Sequence, residues 1–328
     1  MKLRFSPAPL ICLLWTVLGI LPGCWDPGDA EMDPGFAETE AFPEEPDAFV
    51  AMDSVQVLAD LRILSSDGME GRRTGTRGAD RARVYILTAF QRAGLEALPG
   101  GFTQPFEFQS RRDTTVVYRG ENVVGLVSGS DPEAEAIVVS AHFDHVGIRN
   151  GEVYNGADDN ASGTAALLSL VRYFTMYPPR HPVVFAAFDA EELGSRGAQA
   201  FVDAGWAERV ALNVNMDMLA RSDSILFAAG SHHYPTLRPV LEGVRAWSPV
   251  VLRFGHDEPG VSGMDDWTNS SDHRAFHRQS IPFIYFGVEN HPDYHRPTDD
   301  FDRVDPAFFL NAVRTVLAAV LTLDDALD

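Results

Sequence analysis

The sequence predicts an α/β fold in three layers, with helices on both faces of a mostly parallel mixed central sheet and an antiparallel hairpin at its edge. Three observations carry this. Runs such as Ala136–Ala141, Val183–Phe188, Val210–Met216 and Ile281–Phe286 are apolar without alternation, the mark of strands buried on both faces. Segments with helical apolar spacing lie between these runs, the order that builds a parallel sheet. Ahead of them stand two strand-like runs at hairpin spacing.

Taken in order, the chain opens with a basic start, Lys2 and Arg4, and an apolar run from Leu10 to Ile20 too short for a typical membrane span, which together read as a secretory leader over residues 1–23. Its end, Leu21-Pro22-Gly23-Cys24, resembles the lipobox of bacterial lipoproteins, although Pro22 is unusual there. The resemblance implies lipidation of Cys24 and an exported, membrane-anchored protein facing the periplasm or the cell exterior. Ordinary cleavage and an uncleaved anchor are the alternatives. Loss of Cys12 with the leader leaves Cys24 without a partner thiol, so no intrachain disulfide is expected. Residues 24–50 are rich in Pro, Gly, Asp and Glu and lack basic residues, the composition of an extended, self-repelling tether.

The body follows over residues 51–328. Helices are expected over Val55–Leu64 and Gly78–Ala93, the second stopped by Gly94. Thr114–Tyr118 and Asn122–Val127 read as the hairpin, with Arg119-Gly120-Glu121 between them. Strand Ala136–Ala141, helix Ser162–Tyr177, strand Val183–Phe188, helix Ser195–Ala204 and strand Val210–Met216 alternate. Then come strand Ser224–Ala229, helix Tyr234–Trp247, strand Val250–Phe254, a short helix near Asp272–Arg278, strand Ile281–Phe286 and helix Pro306–Leu323. With 45% hydrophobic residues in 328, a sizeable core is available. The net charge of −21, with Lys2 the lone lysine, excludes a sequence-independent grip on nucleic acid. Nothing in the sequence sets an oligomeric state.

In such a sheet, ligands gather at the carboxyl ends of strands. Four exits carry polar groups there: His142-Phe143-Asp144-His145, Asp189-Ala190-Glu191-Glu192, Asp217, and Asp293-Tyr294-His295-Arg296-Pro297. Between the first two lies the acidic turn Gly156-Ala157-Asp158-Asp159-Asn160-Ala161-Ser162-Gly163. Each alone reads as a surface pair, a helix start or a solvated turn. Together on one edge they have the N/O donor inventory of a metal site.

The series AHFDHVG, YNGADDNASGTAALL, FDAEELGSRG, NVNMDM and PDYHRPTDD resembles the M28 family of co-catalytic di-zinc aminopeptidases, from about Met69 to the C-terminus. The resemblance implies the zinc-peptidase form of the fold and two Zn²⁺ per chain. One ion would be held by His142 and Asp217, the other by Glu192 and His295, with Asp159 bridging. It further implies Glu191 as general base, Asp144 as the group orienting His142, Tyr294 as a polariser of the scissile carbonyl, and a cis peptide at Asp159-Asn160. Asp272 and His273 recur in the family as pocket residues, although an N-cap explains Asp272 as well. His145, His181, His232, His233, His256, His277 and His291 read as surface or structural. Arg296 departs from the family's threonine, and no lid domain fits between Gly151 and Gly163. The implied activity is aminopeptidase action on peptides with a free N-terminus. The alternatives are a glutaminyl-cyclase-like transamidase, a carboxypeptidase or dipeptidase on the same fold, and a non-catalytic, receptor-like relative.

Overall fold

A computed structural model describes residues 52–327; the leader, Cys24 and the acidic tether lie outside the described residues. Apolar runs dictate the centre of the sheet. Strands β3 (Ala136–His142), β6 (Val183–Phe188), β7 (Val210–Met216) and β10 (Phe283–Gly287) lie side by side and parallel, in the order β6-β3-β7-β10. Their side chains alternate between two cores, Ile137 and Val139 entering one and Val138 the other, as the strand period requires. Beyond β10, β8 (Ile225–Ala229) runs antiparallel, with β9 (Val251–Phe254) parallel to it.

The other edge corrects the expected hairpin. A single strand β2 (Val117–Val127) covers both predicted runs, and its partner is β1 (Thr103–Gln109), antiparallel. Gly120 is no turn residue: it faces Phe106, whose ring lies where a Cβ on Gly120 would fall, 2.4 Å away. The ring fills the space that glycine leaves. A second hairpin not expected from the sequence joins β4 (Gly147–Arg149) to β5 (Glu152–Tyr154). Asn150 and Gly151 at its tip have φ 54° and 84°, the left-handed pair of a type I′ turn.

Helices α1 (Ser54–Leu64), α2 (Arg77–Ala93), α3 (Gly163–Met176), α5 (Arg238–Trp247) and α7 (Pro306–Ala326) cover one face. Helices α4 (Arg196–Asp203) and α6 (His273–His277) cover the other. Asp53 and Asp305 cap α1 and α7 by accepting first-turn N–H groups, and Gly94, at φ 87°, ends α2. Helix α7 is long and apolar enough to cross a membrane, yet Phe309, Val313, Val316 and Val320 are fully buried against the sheet, so its apolarity is spent on the core.

Candidate metal centre

Adjacency of β6, β3, β7 and β10 brings their carboxyl ends to one rim. His142 ends β3, the Glu191-Glu192 turn follows β6, Asp217 follows β7, and the loop after β10 returns His295. Asp159 comes from a one-turn segment, Ala157–Ser162, ahead of α3. The Asp159–Asn160 peptide is cis, in agreement with the family pattern.

Two donor groups meet at Asp159. In one, His142 Nε2 lies 3.2 Å from Asp217 Oδ1 and 3.6 Å from Asp159 Oδ1. In the other, His295 Nε2 lies 2.9 Å from Asp159 Oδ2 and 3.2 Å from Glu192 Oε1. His145 belongs to this second group, its Nδ1 2.9 Å from Glu192 Oε1 and 3.6 Å from Asp159 Oδ2. Within each group, one donor atom per residue lies within 4.8 Å of all the others. The two oxygens of Asp159 thus face different groups. His145 is no surface residue, being 1% exposed; of the sequence reading the structural role remains, and its place in this group makes it a candidate ligand as well. Gly156 makes room for it, since a Cβ there would fall 2.5 Å from the imidazole.

The arrangement fits a cation. His145 Nδ1, at 2.9 Å, and His295 Nε2, at 3.2 Å, converge on the buried Glu192 Oε1, while His145 Nε2 is buried without a hydrogen-bond partner, a costly state for a polar group unless something else binds it. Imidazole and carboxylate donors together suit Zn²⁺.

Several side chains hold the loops in place. Arg72, fully buried, donates to four main-chain carbonyls: Phe143 at 2.7 Å, Leu64 and Asn155 at 2.6 Å, and Gly156 at 2.9 Å. This ties the His142–His145 segment to the acidic turn. Asp299 accepts the N–H groups of Asp158 and Asp159 at 3.1 Å. Asn160 Nδ2 donates to Met216 O, while its Oδ1 accepts from Gly163 N and Met218 N. Asp144 takes a different position from the one implied: His142 Nδ1 reaches its main-chain oxygen at 3.1 Å, whereas the carboxylate stands 3.7 Å away. That carboxylate instead accepts from Glu191 N at 2.8 Å and Glu192 N at 3.3 Å. Arg72 and Asp299 support the centre from outside the strand-exit motifs, so no local sequence pattern marks them.

Glu191 stands outside both donor groups and accepts from Ser195 Oγ at 3.0 Å. Burial raises its carboxyl well above the usual range, and Asp272, Asp217 and Glu192 add to the effect while His142 opposes it. Glu192 behaves oppositely: burial would raise it, but His145 and His295 hold it well below the usual range. Burial would lower His295, but hydrogen bonds to Asp159 and Glu192 raise it to about 10. A cavity of about 710 Å³ opens over both groups, lined also by Met264, Trp267, Tyr285 and Tyr294. The Tyr294 ring stacks on His295 at 4.0 Å. Asp272 and His273, expected at the pocket wall, are fully buried and are not among its lining residues. His273 Nε2 donates to Trp267 O at 2.8 Å, a carbonyl that can only accept, so this nitrogen carries the proton. Asp272 makes no side-chain cap bond to α6.

The rim has the donor set of a candidate metal site, and comparison with known proteins gives the class: a peptidase. Residues 122–320 match the profile of Peptidase family M28, and the chain belongs to that family. It is 29% identical over 211 residues to aminopeptidase YwaD of Bacillus subtilis, covering 61% of this chain and 44% of that protein. It is 33% identical over 169 residues to the vacuolar membrane protease of Candida glabrata, covering 51% of this chain and 17% of that protein. The chain therefore spans less than half the length of these two relatives. Among solved structures, an aminopeptidase from Aneurinibacillus sp. strain AM-1 superposes with a TM-score of 0.69 at 16% identity, covering 83% of this chain and 94% of that one. The glutaminyl cyclase of Porphyromonas gingivalis gives 0.67 at 16% identity, covering 82% and 98%. At those identities the likeness is one of fold.

Proposed function

We propose that this M28 peptidase is a metal-dependent aminopeptidase, hydrolysing the first peptide bond of substrates with a free N-terminus. The observation that carries the reading is Asp159: one carboxylate stands between two donor groups, with Glu191 beside both and in neither. His142 and Asp217 would hold one Zn²⁺ and Glu192 and His295 the other, with Asp159 shared and His145 added to the second set. Bound there, the ions would lower the pKa of a shared water and polarise the scissile carbonyl.

The chain's own groups supply the rest. Glu191 takes the proton from the water and returns it to the leaving amine, a role suited to a carboxyl whose affinity for protons burial has raised. Ser195 Oγ, 3.0 Å away, orients that carboxyl. Tyr294 lines the same cavity, and its hydroxyl would donate to the developing oxyanion. Asp217, Glu191 and Asp266 line this cavity and attract the α-ammonium group, which confines cleavage to the first residue. Met264 and Trp267 give the first side chain apolar walls.

We extend the reading to the whole chain: leader 1–23, lipidated Cys24, tether 24–50, and a peptidase body 51–328 without a lid insertion, anchored at a membrane and facing the periplasm or cell exterior. Purified protein is expected to release p-nitroaniline from aminoacyl p-nitroanilides, to lose activity to a chelator and to regain it with Zn²⁺. Two ions per chain support the peptidase, whereas a single tight ion favours the transamidase. Glu191→Gln should keep metal content and lower kcat by about 10²–10⁴-fold, while Glu192→Gln should lower metal content. The reverse pattern would show the two roles exchanged.

A further inference from the structure

Beside the metal centre lies a second cavity, of about 330 Å³, whose character is opposite to that of the chain. Arg73, Arg111, Arg112 and Arg149 line it, and it reaches His145, Glu192 and Gly194. Glu192 and Gly194 also line the larger cavity over the donor groups, so the two cavities adjoin along this turn. In a chain carrying 47 acidic and 26 basic residues, four arginines on the wall of one cavity are a local excess of positive charge. Arg81, Arg83, Arg119, Arg172, Arg221 and Arg238, all away from this cavity, are in ion pairs. Among the described residues, the four lining arginines are in none; Arg73 reaches only Val146 O, at 3.4 Å.

The crowding is sharpest at Gly194. A Cβ built there would lie 3.4 Å from the Arg111 guanidinium and 3.4 Å from Arg274 Nη2, and Arg274 Nη2 donates to Gly194 O. Glycine, at φ 105°, leaves the space in which two like charges flank one backbone atom. Burial holds the Arg274 and Arg196 guanidinium groups below the ordinary arginine range; Arg111 adds to the effect at both, while Glu191 and Asp272 oppose it at Arg274. Four arginines against Asp144 and Glu192 on the same wall leave an excess of positive charge that an incoming anion stabilises.

We propose that this arginine cavity is a subsite for a carboxylate carried by the substrate on the C-terminal side of the scissile bond. The inference rests on the aminopeptidase reading and names its substrate class: peptides with an acidic residue after the first, or short peptides whose own C-terminal carboxylate reaches the cavity. The direction follows from charge. An α-ammonium group is repelled by the arginines and attracted by Asp217, Glu191 and Asp266 in the larger cavity, so the downstream part of the peptide lies over Glu192 and Gly194 towards Arg111. Phe108 and Tyr118, stacked at 5.4 Å between ring centroids, give the methylene groups of that segment an apolar wall.

The test uses the metal-loaded full chain and two pairs of peptides that share a first leucine. Leu-Glu-amide against Leu-Gln-amide isolates a side-chain carboxylate, and Leu-Ala against Leu-Ala-amide isolates a terminal one. In at least one pair the charged member should have a kcat/KM about tenfold higher at low salt, and the ratio should shrink as salt screens the charges. In Arg111→Ala/Arg112→Ala, both positions being exposed, the ratio should fall to about one, and Arg111→Lys with Arg112 retained should keep part of it. Equal rates within both pairs, or a ratio untouched by the double substitution, overturn the subsite. Failure to hydrolyse any of the four peptides or leucine p-nitroanilide overturns the aminopeptidase reading itself, which is a separate result.

Discussion

The Asp144 carboxylate accepts the Glu191 backbone N–H at 2.8 Å and that of Glu192 at 3.3 Å. One buried side chain therefore positions both glutamates through their main chain, while its own carbonyl oxygen receives His142 Nδ1. Thr74 Oγ1 steadies the same carboxylate at 3.3 Å. Asp144→Ala leaves the two N–H groups unpaired and frees the turn. We expect about a 10–100-fold loss in metal affinity, the scale of losing a group that orients ligands, read by zinc titration of the purified variant. Wild-type affinity would remove the positioning role.

His145 offers a separate test of the second donor group. Its imidazole is buried, with Nδ1 2.9 Å from Glu192 Oε1 and 3.6 Å from Asp159 Oδ2, a contact that a glutamine of similar reach can keep, so a purely structural role predicts that the substitution is tolerated. If it binds the ion, His145→Gln should weaken metal binding on the Glu192–His295 side by about tenfold or more and leave the His142–Asp217 side occupied. Metal analysis across a range of free zinc concentrations separates the two, because only a ligand role lowers the stoichiometry.

The parts of this molecule that were legible in the sequence are those with one dominant physical cause. The central strands have no polar face to confuse their period, so their bounds agree with the structure within a residue or two. β1 was hidden because Pro105 interrupts its pattern, and a proline is tolerated there only because the strand lies at the sheet edge. Gly120 looked like a turn because its actual cause, the Phe106 ring across the ladder, is a tertiary contact. At the centre, four of the five implied ligands stand at or after strand exits, where chain order brings them together, and Asp159 stands in the acidic turn ahead of α3. His145 shares such an exit, but its burial depends on Gly156, a residue in a different loop. The Asn150-Gly151 pair was a local signal available in the sequence and not used.

Arg72 tests how the loops depend on a cation buried away from solvent. Its guanidinium gives four hydrogen bonds to carbonyls at 2.6–2.9 Å, and burial lowers it to about 10, with Asp159, Asp299, Asp144 and Glu192 opposing that shift. Arg72→Met keeps much of the volume and strands those carbonyls. A destabilisation of about 3–5 kcal/mol is expected, as for breaking a buried charged network, measured by urea denaturation of the metal-free chain. A loss under about 1 kcal/mol would show that water replaces the guanidinium without cost.

Stability of the metal-free chain should fall as pH rises. Burial raises Asp272 to about 7, Asp189 to about 6 and Asp299 to about 6, against about 3.9 for an unfolded aspartate. Between roughly pH 4 and 7 the folded chain then binds more protons than the unfolded one, and stability declines with pH in that window. His295 has the same sign at higher pH: raised to about 10, it contributes stability that is complete below about 6.5 and lost as pH passes its folded value. Glu192 and Asp217 oppose this only in acid, since both are lowered and their contribution disappears below about pH 4. The urea midpoint in chelator is therefore expected to be lower at pH 8 than at pH 5.5. Zinc should raise the midpoint more at pH 8, where protons compete less for the donors than at pH 5.5 and the carboxylates most need a counter-charge. A midpoint in chelator that rises from pH 5.5 to 8 would contradict the assignment of these buried protons.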